Sequence, residues 1–421
     1  MAVDIKPEEL APELARAVNV HDRGAWRQSK HLARAAKQAA DRRLADYLMV
    51  DSDAHHYETE SWADIIKYLE DPVLRHRAEN ALLGGRPNLD MTHGAPTRQN
   101  VYGRILTDDR TYFRGEREES GKPADLAMIR NEMNAIGLDY QVVFPTPMLS
   151  LGMHPDHQIE SALSWAYSRW MTEELLPQDD YIKTMVYLPF NDPDACERVI
   201  DHFSDKPGVV GFEVTSARYK PVHDDVYMRI YAMLEERGLP IAFHAGFYDW
   251  ERFNVGMNKF ISVHSIGFVI YNLIHMINIV INGIPERFPN LKIVWIESGL
   301  AWLPFLMQRL DNEYTMRTSE APLLKKLPSE YMRDFFYTSQ PLEIADPEGV
   351  EMSMEMINAE TQLLFASDYP HWDFNLPCTI YDLPFLSEQG KRNILGENAQ
   401  KLFKLGGKRP KPTPTVTGNG H

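Results

Sequence analysis

The stretch Tyr47-Leu-Met-Val-Asp-Ser-Asp-Ala-His-His-Tyr-Glu58 decides the fold, because in it an apolar, strand-type segment runs directly into acidic and imidazole side chains. On an extended chain residues two apart point to the same side, so Asp53 and His55 can bind one ion together. Charged groups at the end of an apolar run need a compensating partner, and a divalent metal ion supplies one. An isolated Asp-x-His pair is also compatible with a solvated loop.

Two later apolar segments end in the same kinds of side chain. Leu239-Pro-Ile-Ala-Phe-His244 ends in an imidazole, and Gln362-Leu-Leu-Phe-Ala-Ser-Asp368 ends in a carboxylate. Three separate strand ends therefore offer Asp, His, His and Asp, which favours a common site over coincidence. Such a mixed nitrogen and oxygen set suits Zn²⁺ best, with Mn²⁺ as the second choice.

Strand-type and helical segments alternate along most of the chain. After the first strand, strands are predicted at 140–145, 182–189, 209–215, 240–245, 292–297, 334–339 and 362–367, and helices at 124–136, 155–176, 193–204, 223–237, 264–283, 302–313, 349–357 and 390–405. Eight alternating units favour parallel strands closed into a (β/α)₈ TIM barrel of the α/β class.

The barrel is assigned to residues 47–405, with three additions. Residues 1–46 are charged and Ala-rich and are interpreted as an N-terminal helical extension outside the core. Residues 72–120 contain many turn residues and no sustained periodicity, which predicts an inserted loop region that serves as a lid or a subunit contact. Residues 406–421 are rich in Pro and Gly and are predicted to form a flexible tail.

The composition limits the class of protein. A formal net charge of −16 disfavours nucleic acid and anionic membranes as partners, although a small anionic substrate is compatible with a locally positive pocket. The two cysteines, Cys196 and Cys378, are too few for a disulfide framework and suit a reducing compartment. The start lacks a signal-peptide pattern, and no apolar run is expected to approach the roughly 18 residues that span a bilayer. We therefore expect a cytoplasmic protein.

In such a barrel, functional residues lie at the carboxyl ends of the strands. Asp53 and His55 end the first predicted strand, His244 the fifth, Glu297 the sixth and Asp368 the eighth. The fourth strand offers no lysine that could bridge two ions. We therefore expect one divalent metal ion and no organic cofactor.

Four features resemble the amidohydrolase superfamily, and more closely its amidohydrolase-2 branch. They are Asp-x-Asp-x-His at 51–55, His244 before Ala-Gly, Pro285-Glu-Arg-Phe-Pro-Asn-Leu-Lys292 before the sixth strand, and Ser367-Asp-Tyr-Pro-His371. The branch includes aminocarboxymuconate semialdehyde decarboxylase, γ-resorcylate decarboxylase and 5-carboxyvanillate decarboxylase. The likeness extends over about 47–405, in the order of the family.

The resemblance implies that Asp53, His55, His244 and Asp368 hold the metal and that Asp368 also transfers a proton. The chain departs from the best-known members at Glu297, where they have a histidine. An ionised carboxylate only accepts hydrogen bonds, so Glu297 is expected to act as a base or to be held protonated beside Asp368.

Five further candidates each have a structural alternative. His371 either contacts substrate and donates a proton or caps the loop. The others could bind substrate, or else orient a ligand, pack in the core or remain solvated: they are Glu58, His264, Trp302 and Arg98 in the inserted region.

The favoured function is a metal-dependent, non-oxidative decarboxylase, a C–C lyase, of an aromatic or unsaturated carboxylic acid. The alternative is a metal-dependent hydrolase that cleaves an amide, lactone or ester with a metal-activated water. A third interpretation is a non-catalytic, metal-stabilised scaffold. The resemblance also implies a homodimer or a higher homo-oligomer.

Overall fold

The first strand of the barrel is β1, Val50–His56, and all seven of its side chains are buried. The computed structural model describes residues 28–83, 123–246, 251–257, 259–371 and 373–410. Within these residues eight strands pair in parallel in sequence order. The others are β2 Tyr140–Pro145, β3 Ile182–Tyr187, β4 Val209–Thr215, β5 Ile241–His244, β6 Ile293–Ile296, β7 Phe336–Thr338 and β8 Leu363–Leu364.

The barrel closes where β1 meets the chain that follows β8. The Ser52 N–H donates to the Phe365 carbonyl over 2.8 Å, and the His55 N–H donates to the Tyr369 carbonyl over 2.7 Å. The predicted (β/α)₈ barrel is therefore confirmed. The strand predicted at 362–367 is shorter than expected, because after Leu364 the backbone turns toward β1 and the site.

Helices surround the barrel and cover its outer face. The longer ones are α1 Gln28–Asp41, α2 Pro72–Leu83, α3 Ala124–Ile136, α4 His157–Trp170, α5 Pro193–Phe203, α6 Met228–Arg237, α7 Phe260–Ile281, α8 Trp302–Met316 and α9 Pro347–Met356. The closing helix has three consecutive parts, Glu388–Arg392, a π-helical turn Asn393–Glu397, and Asn398–Phe403. Short helical turns occupy Leu44–Asp46, Glu58–Ser61, Trp62–Ile65, Ile66–Tyr68, Pro147–Met153, Met171–Leu175, Leu176–Gln178, Asp225–Tyr227, Arg252–Val255, Ile284–Arg287, Thr318–Glu320, Pro328–Met332, Ala359–Gln362 and Cys378–Tyr381.

Local sequence sets where several helices begin. Asp192 and Asp346 precede α5 and α9, and each side chain accepts a backbone N–H from the first turn of its helix. In both cases a proline follows at the first helical position, where its missing N–H is not needed. These Asp-Pro starts fix the helices against strands whose ends carry the site.

The two ends of the chain pack more closely on the barrel than the sequence indicated. On α1, Leu32 and Ala35 are 7% and 3% exposed and belong to the main core, so this helix does not lie outside it. At the start of the tail, Lys408 Nζ donates to the Ala45 carbonyl and Arg409 donates to Asn134. Residues 1–27 and 411–421 lie outside the described residues.

The inserted region begins as a helix rather than a loop. Residues 72–83 form α2, whose Ala78 is buried. Its apolar residues do not follow a regular helical period, which explains why the sequence pattern did not indicate it. The remainder, 84–122, which is predicted to serve as a lid or a subunit contact, lies outside the described residues.

The helix α7 contradicts the expectation that no apolar run approaches the length of a membrane span. Within α7, the 21 residues Ile261–Ile281 are long and apolar enough to meet the length and composition of a membrane span, and 39% of the most apolar window is buried in the protein. Serine, histidine, glycine and asparagine interrupt the apolar residues, but none of the 22 residues of α7 is Asp, Glu, Lys or Arg. The polar uncharged residues hid this run from a search for unbroken apolar sequence.

We predict that Gly396→Ala destabilises the barrel. Gly396 lies in the π-helical turn of the closing helix, and an added Cβ would overlap the carbonyl group of Leu48, just before β1. Because that neighbour is backbone, relief requires the helix to move, at an expected loss of about 1–3 kcal/mol or more in the free energy of unfolding. Urea unfolding measures the change. Gly349→Ala in α9, where the new Cβ has only ordinary contacts, is the control, and equal midpoints for both variants would contradict the prediction.

Candidate metal centre

Three elements carry the four predicted ligands to one point at the carboxyl end of the barrel. Asp53 and His55 belong to β1, His244 is the last residue of β5, and Asp368 follows β8. All four side chains are almost completely buried. Asp53 and His55 lie two residues apart on β1 and so share one face, while His244 and Asp368 lie at or after the ends of β5 and β8. These positions bring the four side chains together.

The distances between the four side chains fit one ion. Asp53 Oδ1 lies 3.3 Å from the Nε2 atoms of both His55 and His244, and His55 Nε2 lies 3.3 Å from Asp368 Oδ1. Neighbouring ligands bound at about 2.0–2.2 Å to a shared ion are separated by roughly 3 Å. The structure thus brings together all four residues predicted to hold the metal.

The two imidazoles are oriented for metal binding. His55 Nδ1 lies 3.0 Å from the Pro145 carbonyl, and His244 Nδ1 lies 2.9 Å from the Ala245 carbonyl. Because a carbonyl only accepts, each Nδ1 carries a proton, which leaves Nε2 as the nitrogen that can bind an ion. Both Nε2 atoms and both Asp53 oxygens are buried without a hydrogen-bond partner among the described residues. A divalent cation would satisfy all of these atoms.

Negatively charged groups dominate the site. Burial alone would raise the pKa of Asp53, but the neighbouring imidazoles of His244 and His55 outweigh it and hold that pKa below its usual range. For His244, burial opposes protonation, yet the acidic side chains of Asp53, Glu297 and Glu213 raise its pKa to about 9, so a cation would take the place of the proton on Nε2. The potential at this point is therefore negative, and it attracts a cation.

Two acidic residues at the site have unusual backbone conformations. Glu297 and Asp368 have φ angles of 57° and 61°, in the left-handed region that non-glycine residues rarely adopt. These turns follow β6 and β8 and bring both side chains to the metal ligands. Burial and the surrounding negative charges raise the pKa of each carboxyl well above its ordinary value. Strain of this kind is often concentrated at functional sites.

His371 connects the ligand Asp368 to the outside of the site. Its Nδ1 lies 2.7 Å from Asp368 Oδ1, and its ring stacks on His55 with centroids 4.2 Å apart. Its Nε2 lies 3.3 Å from Thr146 Oγ1. The His371 side chain is 14% exposed and that of Asp368 is 1% exposed, so the pair spans from the buried centre toward solvent.

Glu297 lies beside this pair. One of its oxygens is 3.6 Å from His244 Nδ1 and the other is 3.8 Å from His371 Nδ1. The structure therefore groups the three predicted catalytic residues, Asp368, Glu297 and His371, around the metal ligands.

The remaining candidates lie in different surroundings. Glu58 is fully buried, and its carboxylate accepts the backbone N–H groups of Thr146 and Met148, so it supports the loop after β2. His264, in the first turns of α7, lies 3.9 Å from Asp373, whose charge acts on both Glu297 and Asp368. Trp302 Nε1 donates to the carbonyls of residues 298 and 299 of its own chain segment. Arg98 lies outside the described residues.

Asp51 supports the site and was not singled out from the sequence. Its Oδ1 accepts the N–H groups of Asp53 over 3.2 Å and of Ser367 over 2.9 Å, and so links the two ligand-bearing segments. The Ser367 hydroxyl donates to the same carboxylate and accepts the Tyr369 N–H. The sequence feature that could have indicated this role is the position of Asp51 as the first acidic residue of Asp-x-Asp-x-His.

Asn272 also supports the site, from the opposite side. This buried residue of α7 donates through Nδ2 to the carbonyls of Phe243 over 3.4 Å and Ile296 over 3.2 Å. These carbonyls directly precede His244 and Glu297. The Asn272 amide therefore holds the ends of β5 and β6 in place. No pattern in the sequence predicts this role for an asparagine in the middle of an apolar helix.

Comparison with known proteins places the chain in a family. A family model described as amidohydrolase matches residues 50–405. The γ-resorcylate decarboxylase of Polaromonas sp. (strain JS666) is 22% identical over 253 residues, which cover 56% of this chain and 74% of that protein. The corresponding enzyme of Rhizobium radiobacter is 21% identical over 255 residues, covering 56% and 75%.

Solved structures share the fold. The 5-carboxyvanillate decarboxylase of Sphingomonas paucimobilis has a TM-score of 0.60 at 19% identity, covering 86% of this chain and 100% of that one. A dihydroxybenzoic acid decarboxylase from Polaromonas sp. JS666, with bound manganese and the inhibitor 2-nitroresorcinol, has a TM-score of 0.58 at 16% identity, covering 85% and 97%. At identities of 19% and 16%, these structures show that the fold is similar, and the comparison is limited to the fold.

We predict that the purified protein contains about one divalent ion per chain and that His244→Ala loses it, because a missing imidazole leaves the set incomplete. Elemental analysis of protein prepared without added metal measures the content. His157→Ala, at an exposed position, is the control and keeps the ion. A wild-type protein without metal, or a His244→Ala protein with full metal, would contradict the prediction.

We also predict that Asn272→Ala weakens metal binding about 10- to 100-fold, as loss of a supporting hydrogen bond does at other metal sites. Competition with a chromogenic chelator measures the affinity of the folded protein. Asn278→Ala, partly buried on the same helix, should bind as the wild type does. If the two variants bind equally, Asn272 contributes only to packing.

Proposed function

The chain belongs to the amidohydrolase family, and on that basis we propose that it is a metal-dependent, non-oxidative decarboxylase of an aromatic or unsaturated carboxylic acid. The observation that carries the proposal is the convergence of Asp53, His55, His244 and Asp368 beside an Asp368–His371 pair. The names of the curated relatives and of several structural neighbours support the choice of reaction.

We propose Zn²⁺ or Mn²⁺ as the resident ion, held by Asp53, His55, His244 and Asp368. Both ions accept such a mixed ligand set, and three solved neighbouring structures are described with manganese. When bound, the ion supplies electrostatic stabilisation for the negative charge of the substrate and of the ring as it reacts.

Asp368 delivers the proton in this proposal. It protonates the ring carbon that carries the carboxylate, and the C–C bond then breaks as its electron pair restores the ring. One proton is taken up for each CO₂ released, and neither an oxidant nor a reductant is needed.

His371 returns the proton to Asp368. Its Nδ1 lies within hydrogen-bond distance of Asp368, and its ring is the more exposed member of the pair, so it can take protons from the solvent side. Thr146 holds the other ring nitrogen and thereby orients the imidazole. Glu297 is a second carboxyl close enough to exchange a proton with this pair.

We also propose a substrate class, a cellular location and an assembly state. A small aromatic acid is the substrate class, as 2,6-dihydroxybenzoate is for one structural neighbour. Both cysteines are buried, which is compatible with the expected cytoplasmic location. A homo-oligomeric state follows the resemblance to the family.

We predict that the metal-loaded protein releases CO₂ from an ortho-hydroxybenzoate such as 2,6-dihydroxybenzoate and that His371→Gln lowers kcat about 10²-fold or more, because the proton relay is lost. Because His371 is not one of the four proposed ligands, this variant should retain its metal, whereas Asp368→Asn should lose both activity and metal affinity. Product analysis by chromatography, with metal content measured on the same samples, gives both readouts. His157→Ala is the matched surface control.

A reaction run in D₂O separates the possible mechanisms. Protonation at carbon places one deuterium at the position that lost the carboxylate, and mass spectrometry detects it. Cleavage of an amide, lactone or ester without CO₂ release would favour the alternative, in which Asp368 activates a water. Absence of turnover with any of these substrates in a fully metal-loaded protein would instead support a non-catalytic scaffold.

A further inference from the structure

His275 is a buried histidine of α7 that the proposed reaction does not use. The residue is 3% exposed, and its ring faces the barrel. Nε2 lies 2.8 Å from the Ser216 carbonyl, and because a carbonyl accepts but cannot donate, this nitrogen carries a proton. Nδ1 is buried and has no hydrogen-bond partner among the described residues. The ring therefore acts on its surroundings as a hydrogen-bond donor to Ser216.

Ser216 is the first residue after β4, and each of its polar groups is bonded. Its N–H donates to the His244 carbonyl over 2.8 Å. Its hydroxyl donates to the side-chain oxygen of Asn272, and its carbonyl accepts the N–H of His275. Asn272 and His275 lie three residues apart on one face of α7. This face therefore holds the residue that bonds to the backbone of a proposed metal ligand.

The backbone at His244 is fixed on both sides by these bonds. The preceding carbonyl, of Phe243, accepts Nδ2 of Asn272, and the carbonyl of His244 itself accepts the N–H of Ser216. The imidazole of His244 adds a contact of 2.9 Å between its Nδ1 and the Ala245 carbonyl. The direction of His244 Nε2 therefore follows from the position of this short segment, which Ser216 helps to set.

The imidazole of His275 is neutral near pH 7. Burial lowers its pKa to about 4, and the positive charge of Arg218 acts in the same direction, although the bond to Ser216 opposes both. Arg218 is itself buried and lies 3.3 Å from Glu160. His275 therefore contributes a hydrogen bond rather than a charge, and a neutral donor of similar reach can replace it.

Packing is the alternative explanation for a histidine at this position. The ring centroid of His275 lies 6.1 Å from that of Phe243 and 6.4 Å from that of Tyr271, so the side chain also fills space between the helix and the barrel. An aliphatic side chain of similar size would fill that space as well. It would, however, leave the carbonyl of the buried Ser216 without this donor, and an unsatisfied buried acceptor is costly.

We propose that His275 is a positioning residue of the metal centre, whose hydrogen bond to Ser216 holds the backbone of His244 so that Nε2 of His244 faces the other ligands. Outer groups of this kind orient metal-binding imidazoles and raise the affinity for the ion. The proposal rests on the metal site that the proposed function requires, and it is independent of the substrate.

The Zn²⁺ affinity of the full-length apoprotein, measured by competition with a chromogenic chelator, tests the proposal. His275→Leu removes the donor but keeps much of the volume, and it should bind Zn²⁺ about 10- to 100-fold more weakly than the wild type. His275→Gln places an amide N–H near the position of Nε2 and should restore the affinity. Met276→Ala, at a buried position beside it on α7, loses packing but no donor and is the control with wild-type affinity. Urea unfolding compares the stability of these variants.

The visible absorption of the Co²⁺-loaded protein gives a second readout, because the bands of this ion depend on the geometry of its ligands. At saturating Co²⁺ the bands of His275→Leu should differ from those of the wild type, while His275→Gln and Met276→Ala should match it. Wild-type affinity or unchanged bands in His275→Leu would overturn the proposal, as would equal weakening by His275→Gln or by Met276→Ala. A wild type that binds neither ion would overturn it together with the metal site. Metal binding as expected without CO₂ release would count against the proposed reaction alone.

Discussion

The closure of the barrel between β1 and the chain after β8 is the constraint on which the rest of this structure depends. There the backbone of residues 52–55 bonds to that of 365–369, and the same segments carry three of the four ligands. Asp53 Oδ1 is buried, lies 3.3 Å from two imidazoles and needs a positively charged partner. The contact between residues 52–55 and 365–369 is therefore most stable when a cation or protons balance the carboxylates. Folding and metal binding are coupled at this point, because the residues that close the barrel are also those that bind the ion.

The supporting residues hold this arrangement from two directions. Asp51 links the β1 and β8 segments, and Asn272 links the ends of β5 and β6 from the helix outside the barrel. Together they restrain the two places, Asp368 and Glu297, where the backbone adopts a left-handed conformation. A strained turn persists only where surrounding bonds determine it, so these supports explain how two strands can end in side chains that face inward.

The sequence predicted the barrel and its ligands because both are encoded locally. Strand ends can be recognised from apolar runs, and parallel strands bring such ends together whatever lies between them. The packing of α1 into the core, the helical start of the inserted region and the role of Asn272 were not predictable in this way. The packing of α1 and the role of Asn272 depend on which face of a helix meets a distant element, and the apolar residues of α2 follow no regular period. A single amide such as that of Asn272 also has no periodic signal. The glutamate at the end of β6 was recognised as a departure from the family, but its neighbours, His371 and His244, became apparent only from the geometry.

The charges around Glu297 bear on the kind of molecule that the site can accept. A divalent ion bound between Asp53 and Asp368 would hold both as carboxylates, and their two negative charges would balance the ion before any substrate enters. Burial raises the pKa of Glu213 to about 8 and raises the pKa of Glu297 well above its usual value, so neither adds a full negative charge near neutral pH. A carboxyl held neutral in this way can donate a hydrogen bond, as an imidazole does. An anionic acid can then approach the ion without facing uncompensated carboxylates, and the replacement of a histidine by Glu297 is compatible with the same substrate charge.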